Sequence, residues 1–66
     1  MFGTRILDGL AARLRTEYTD LPGLRLTAWQ AQRLYSITPE EAKDTLERLV
    51  RSGFLRVAGD GTYVRR

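Results

Sequence analysis

LTAWQAQRLYSITPEEAKDTLERLVRSG, the stretch from Leu26 to Gly53, reads as two short helices joined by a tight turn. The second helix has the clearer start. Thr38 is a good N-cap, Pro39 suits the first helical position, and Glu41 at N3 completes a Thr-x-x-Glu capping box. Ile37 and Ala42 flank that box at the positions of a hydrophobic staple, with Ala as the small partner. Ala42, Leu46, Leu49 and Val50 then share one helical face, and Gly53 supplies a left-handed residue that stops the helix. The preceding helix opens on a Thr27-x-x-Gln30 box, and its expected inward residues are Thr27, Ala31 and Leu34. Only Tyr35, Ser36 and Ile37 separate it from the next cap, so the two helices must cross steeply.

Around this unit there is room for one small domain. A chain of 66 residues buries only ~60% of its unfolded surface, which limits its stability to a few kcal/mol unless a partner adds to it. The apolar share of 42% is enough for one core. Cys and His are both missing. That removes disulfides, the usual zinc sites, Ser-His and Cys-His nucleophile pairs and imidazole acid–base chemistry. Neither catalysis nor a cofactor or metal is expected, because a domain this small has little room for a pocket around its carboxylates. No apolar run approaches the ~20 residues of a membrane span and no signal-peptide core follows Met1, so a cytoplasmic protein is expected. The formal charge is +3, and every one of the 11 basic residues except Lys43 is Arg. Arg favours phosphate and carboxylate recognition, and the balance points weakly to an anionic partner.

Outward from the central stretch, residues 4–19 are expected as a first helix, with Leu7, Leu10, Ala11, Leu14 and Tyr18 as a continuous inward stripe. Phe2, Ile6, Gly9 and Arg13 lie along a second stripe. Gly9 inside a helix costs about 1 kcal/mol relative to Ala, and a stripe interrupted by Gly would let another helix approach closely. Two readings stay open there: a homodimer seam through the first helix, or Phe2 closing the end of the core. Leu21-Pro22-Gly23-Leu24 has Pro and Gly where a type II turn wants them, and Leu24-Arg25-Leu26 alternates like a very short strand. After Gly53, the runs Phe54–Ala58 and Thr62–Arg65 around Gly59-Asp60-Gly61 make a hairpin. The expected domain is thus mainly α with a small β-hairpin, with helices over 4–19, 27–35 and 38–52 and the hairpin over 54–65.

That order, carried by Leu24-x-Leu26-Thr27, Gln30-Ala31-x-x-Leu34, Ile37-Thr38, Leu46-x-x-Leu49-Val50, Gly53-Phe54-Leu55 and Gly61-x-Tyr63-Val64, resembles the winged helix-turn-helix domains of bacterial transcription regulators. The likeness runs from about Tyr18 to Arg65 and does not single out a subfamily. It implies three helices plus a wing, double-stranded DNA as partner, the helix after Thr38 in the major groove, and the hairpin against backbone or minor groove. A homodimer follows from size, since one copy buries little surface on DNA.

The residues themselves divide on DNA. The outward face of the 38–52 helix is expected to be Glu40, Asp44, Glu47, Arg48 and Arg51, with Lys43 as the one base in its first half. Carboxylates there repel phosphates, and their ready base partner is the cytosine amino group. An ordinary solvated helix explains the same face, through acids at the N-terminal end, bases at the C-terminal end, and Asp44–Arg48 and Glu47–Arg51 pairs. The hairpin tip at Asp60 is acidic. Candidate DNA contacts are Arg25, Gln32, Arg33, Thr38 with its helix N-terminus, Lys43, Arg56 and Arg65, with Arg66 in the tail. The alternative function is a winged-helix protein-interaction module using the acidic helix face and Trp29. Trp29 either stacks outward with Arg33 or folds back over the first helix and covers the core edge; the second placement is the one expected.

Overall fold

A computed structural model describes residues 2–66, with side chains described from Asp8 onward. Three helices precede a hairpin: α1 (Phe2–Asp20), α2 (Ala28–Tyr35), α3 (Pro39–Arg51), β1 (Leu55–Val57) and β2 (Tyr63–Arg65). The described part of the chain is therefore mainly helical, with one two-stranded antiparallel sheet. α1 starts two residues earlier and ends one later than the 4–19 spacing predicts.

The two central helices begin where their caps put them. Thr27 accepts from Gln30 N at 3.0 Å while Gln30 Oε1 accepts from Thr27 N at 2.9 Å. Thr38 and Glu41 repeat this exchange at 3.1 and 2.9 Å. Each box satisfies amides that the first helical turn would leave without partners. At the other end of α3, Gly53 takes φ 85. Gly53 N donates to Val50 O and Phe54 N donates to Leu49 O, both at 3.0 Å, which is the Schellman pattern. α2 ends less comfortably, on Ser36 at φ 52. Because Ser carries a Cβ, this left-handed position has a conformational cost that Gly would avoid.

The core is built from one stripe of each helix. Leu14 and Tyr18 of α1, Ala31 of α2, and Ala42, Leu46 and Leu49 of α3 are buried with Leu26 and Leu55. Thr45 is the one buried polar residue among those described, and its hydroxyl donates to Glu41 O at 2.7 Å. The inward side of α2 is Ala28, Ala31 and Tyr35, not Thr27, Ala31 and Leu34. Leu34 is 65% exposed. Small residues at the crossing let α2 and α3 approach closely across their short turn, and Leu34 is left on the opposite side.

Pairing of β1 with β2 runs Leu55↔Arg65, Arg56↔Val64 and Val57↔Tyr63. Gly61 N donates to Ala58 O, and Gly61 itself takes φ 87, so the loop ends on a residue in the left-handed region. Leu26 forms an isolated antiparallel bridge to Tyr63, which adds a third piece of extended chain beside the hairpin. The turn at 21–24 closes by Leu24 N donating to Leu21 O at 2.9 Å. Gly23 does not take a positive φ, so this is not the expected type II turn, which would require one.

Tyr18 ties the layers together. Its hydroxyl donates to Tyr63 O at 2.6 Å, and its ring meets Phe54 edge-on at 6.4 Å. Burial pushes the phenol up to about 12. A raised value means that the fold holds the neutral form. Its contribution to stability is complete below the unfolded value near 10 and is lost as pH climbs through about 12. Tyr18→Phe should cost about 1 kcal/mol at neutral pH through the lost hydrogen bond. The variant should also shed much of the fall in stability between pH 10 and 12, as read from urea unfolding across that range.

Candidate functional site

The exposed edge of α3 starts at its cap. Thr38 accepts from Glu41 N, and the Glu41 carboxylate reaches back to Thr38 N. The N-terminus expected to receive a phosphate is thus already occupied by a carboxylate of its own helix. The Thr38 hydroxyl proton is still free to donate. Glu40, Lys43, Asp44 and Arg51 are exposed along the helix, so Lys43 stands between acids.

Arg48 is not part of this edge. It turns toward α1, where Nη2 donates to Asp8 Oδ1 at 2.5 Å, and its Nη1 is buried without a hydrogen-bond partner among the described residues. The Asp44–Arg48 and Glu47–Arg51 pairs expected along the helix are not among the salt bridges of the described residues. A tertiary ion pair between helices takes Arg48 instead.

The hairpin tip is also different from its sequence appearance. Asp60 accepts from Arg25 Nη2 at 3.0 Å, from Thr62 N at 3.1 Å and from the Thr62 hydroxyl at 2.6 Å. Those hydrogen bonds, Thr62 first and then Arg25, pull its carboxyl down to about 2. The tip acid is therefore a brace for its own turn, and Arg25 is half of an exposed ion pair. Arg56 is exposed and unpaired among the described residues.

Arg65 lies 4.3 Å above the Phe54 ring. Arg15 of α1 lies 4.8 Å from the same ring, a basic neighbour that the sequence reading did not single out. Its signal was available in part, because Arg15 sits one turn before the inward Tyr18. The partner ring, Phe54, is 39 positions away.

On α2, Gln32 is half-buried and Arg33 exposed. Arg33 stacks 4.9 Å from the Trp29 ring centre. Trp29 is 62% exposed, so it does not fold back over α1 as expected. With Leu26, Gln30, Arg33 and Leu34 it lines an open hollow of about 420 Å³.

Gly9 lies exposed on α1, with nothing within 4 Å of a Cβ built there. Among the described residues it therefore has no packing neighbour. The Phe2 and Ile6 side chains of the same stripe lie outside the described residues. Arg13 of that stripe stacks 5.2 Å from the Tyr35 ring.

The structure thus joins Arg25 to Asp60 and Arg33 to Trp29, sets Arg65 and Arg15 both on Phe54, and gives Lys43 and Arg56 no salt bridge among the described residues. No group of three or more Asp and Glu placed to hold a metal occurs among the described residues. No helix there is long and apolar enough to cross a membrane. No family model, curated protein or solved structure matches the chain.

The Asp60 brace sets an acid limit on the hairpin. A lowered carboxyl contributes above its unfolded value near 3.8 and loses that contribution as pH falls through about 2. The Thr62 amide proton should report this in an NMR titration, with its shift midpoint near 2. In Asp60→Asn the step should vanish. A wild-type midpoint near the ordinary carboxylate value would mean that the brace does not hold in solution.

Proposed function

We propose that the chain is a winged helix-turn-helix domain that binds duplex DNA in the cytoplasm, as a transcription regulator does. α3 would lie against the major groove, with the β1–β2 hairpin as the wing. The observation that carries this reading is which charges are spent internally. Asp8 and Asp60 are tied to Arg48 and Arg25. Lys43, Arg51, Arg56, Arg65 and Arg66 are exposed and form no salt bridge among the described residues. Those bases come from α3, the hairpin and the tail, the elements that this mode of docking turns toward DNA.

Glu40 and Asp44 shape the kind of binding. Beside Lys43 they repel phosphate, and they can accept a hydrogen bond only from a base amino group such as that of cytosine. Affinity then rests on Arg and Lys contacts to the backbone, which position the domain and carry little sequence information. Binding of this kind is strongly salt-dependent. A single domain of this size buries little DNA surface, so we place a second copy across the α1 stripe of Phe2, Ile6 and Gly9, where Gly9 offers open space.

Fluorescence anisotropy with a labelled random duplex tests the reading. Binding should weaken steeply between low and physiological salt. Arg56→Glu and Lys43→Glu should each weaken it several-fold, while Asp44→Asn should strengthen it. Unchanged affinity in both charge reversals would exclude this face.

Sedimentation tests the dimer separately. Gly9→Glu should yield folded monomers from a dimeric wild type, and a wild type that already sediments as a monomer removes the proposed seam.

A further inference from the structure

The α2 hollow is not used by DNA docking through α3 and the hairpin. Four of its lining residues, Trp29, Gln30, Arg33 and Leu34, fall at i, i+1, i+4 and i+5 of α2, and buried Leu26 closes it from the segment before the helix. Residues at that spacing share one side of a helix, and here that side faces outward. Two large apolar side chains stand exposed in it, Trp29 and Leu34. An apolar groove along a helix matches the seat of a second helix that lays its own apolar stripe alongside.

Charge decides which helix. α2 carries Arg33 as its only charged residue and has no acid. Arg33 forms no salt bridge among the described residues. Its guanidinium stacks on Trp29, a geometry that leaves the N–H edge available to a carboxylate. A second copy meeting stripe to stripe would bring the two Arg33 side chains together with no acid between them. A stacked nucleobase would compete with Arg33 for the Trp29 ring and leave Leu34 without an apolar contact. We infer that the α2 hollow docks an acidic amphipathic helix of a protein partner, with an aliphatic pair one turn apart covering Trp29 and Leu34 and a flanking carboxylate meeting Arg33.

Trp29 is the chain's single Trp, so its fluorescence reports the hollow directly. The probe is a capped helical peptide of about 14 residues, with Leu at i, i+3, i+4 and i+7 and Glu or Gln elsewhere. The comparison peptide carries Lys in place of Glu, and dT15 serves as the nucleic-acid arm. The acidic peptide should shift Trp29 emission to the blue, shield it from iodide, and saturate. The Lys peptide should bind at least about tenfold more weakly. Arg33→Gln should abolish the preference between the two peptides and Arg33→Glu should invert it, and Leu34→Ser should weaken the acidic peptide several-fold with helical content unchanged by circular dichroism. Absence of saturable binding by the acidic peptide overturns the proposal. Equal binding of both peptides does so too, because it would mark unspecific apolar contact. Saturable quenching of Trp29 by dT15 that Leu34→Ser leaves unchanged would assign the hollow to nucleic acid instead. Arg33→Gln and Leu34→Ser can be carried into the duplex assay. If they weaken peptide binding and leave duplex binding intact, the two surfaces are separate.

Discussion

One backbone carbonyl joins three parts of this small domain. Tyr63 O accepts from Leu26 N at 3.3 Å and from the Tyr18 hydroxyl at 2.6 Å. α1, the segment leading into α2, and the second hairpin strand therefore meet at one point. A two-stranded hairpin with three residues in each strand is too short to persist in water alone. Here it is held by the Leu26 bridge on one side, by Leu55 in the core, and by Tyr18 from below. The short chain has no Cys to form a disulfide in place of that contact, so its hairpin geometry depends on packing and on this shared acceptor.

What was legible in the sequence was the local chemistry. Capping boxes, Pro at N1 and Gly after a helix are decided by neighbours within five residues, and Thr27, Thr38 and Gly53 sit in the conformations that those rules require. The α3 core face was readable for the same reason, since Ala42, Leu46 and Leu49 are strongly apolar against a charged background. α2 was not readable in this way. Its eight residues and their cap offer two competing stripes, 27-31-34 and 28-31-35, and hydrophobicity alone ranks Leu34 above Ala28. Close helix crossing reverses that ranking, because a small side chain at the contact costs less than a Leu that holds the backbones apart. Trp29 and Leu34 are then exposed together, and the α2 hollow follows from that reversal.

Charge was misread where the partner is distant in sequence. Along a helix, an i,i+4 pair contributes only a few tenths of a kcal/mol, so a tertiary partner easily displaces it. Arg48 thus leaves Asp44 for Asp8, forty positions away, and in doing so pins α1 to α3. Asp60 looked like a bare acid at a hairpin tip. In the fold it receives three hydrogen bonds and neutralises Arg25. Both changes pair off surface charge in ways that a count of Lys, Arg, Asp and Glu cannot reveal, and both bear on which bases remain unpaired.

Arg33 is the residue on which a phosphate reading and a carboxylate reading compete. As a phosphate contact it would act through its charge, and any base of similar reach would serve. Stacked on Trp29 it acts through its plane as well, because the ring fixes the guanidinium and directs its free N–H edge. The side chains around it then discriminate between anions. A phosphodiester presents charge with sugar and water around it and has nothing to lay against Leu34. A carboxylate on a helix arrives with apolar neighbours one turn away. Burying Trp29 and Leu34 removes far more apolar surface from water than a phosphate contact can. The hydrophobic term therefore favours a protein at α2, and it leaves the unpaired bases of α3 and the hairpin to the proposed contact with DNA.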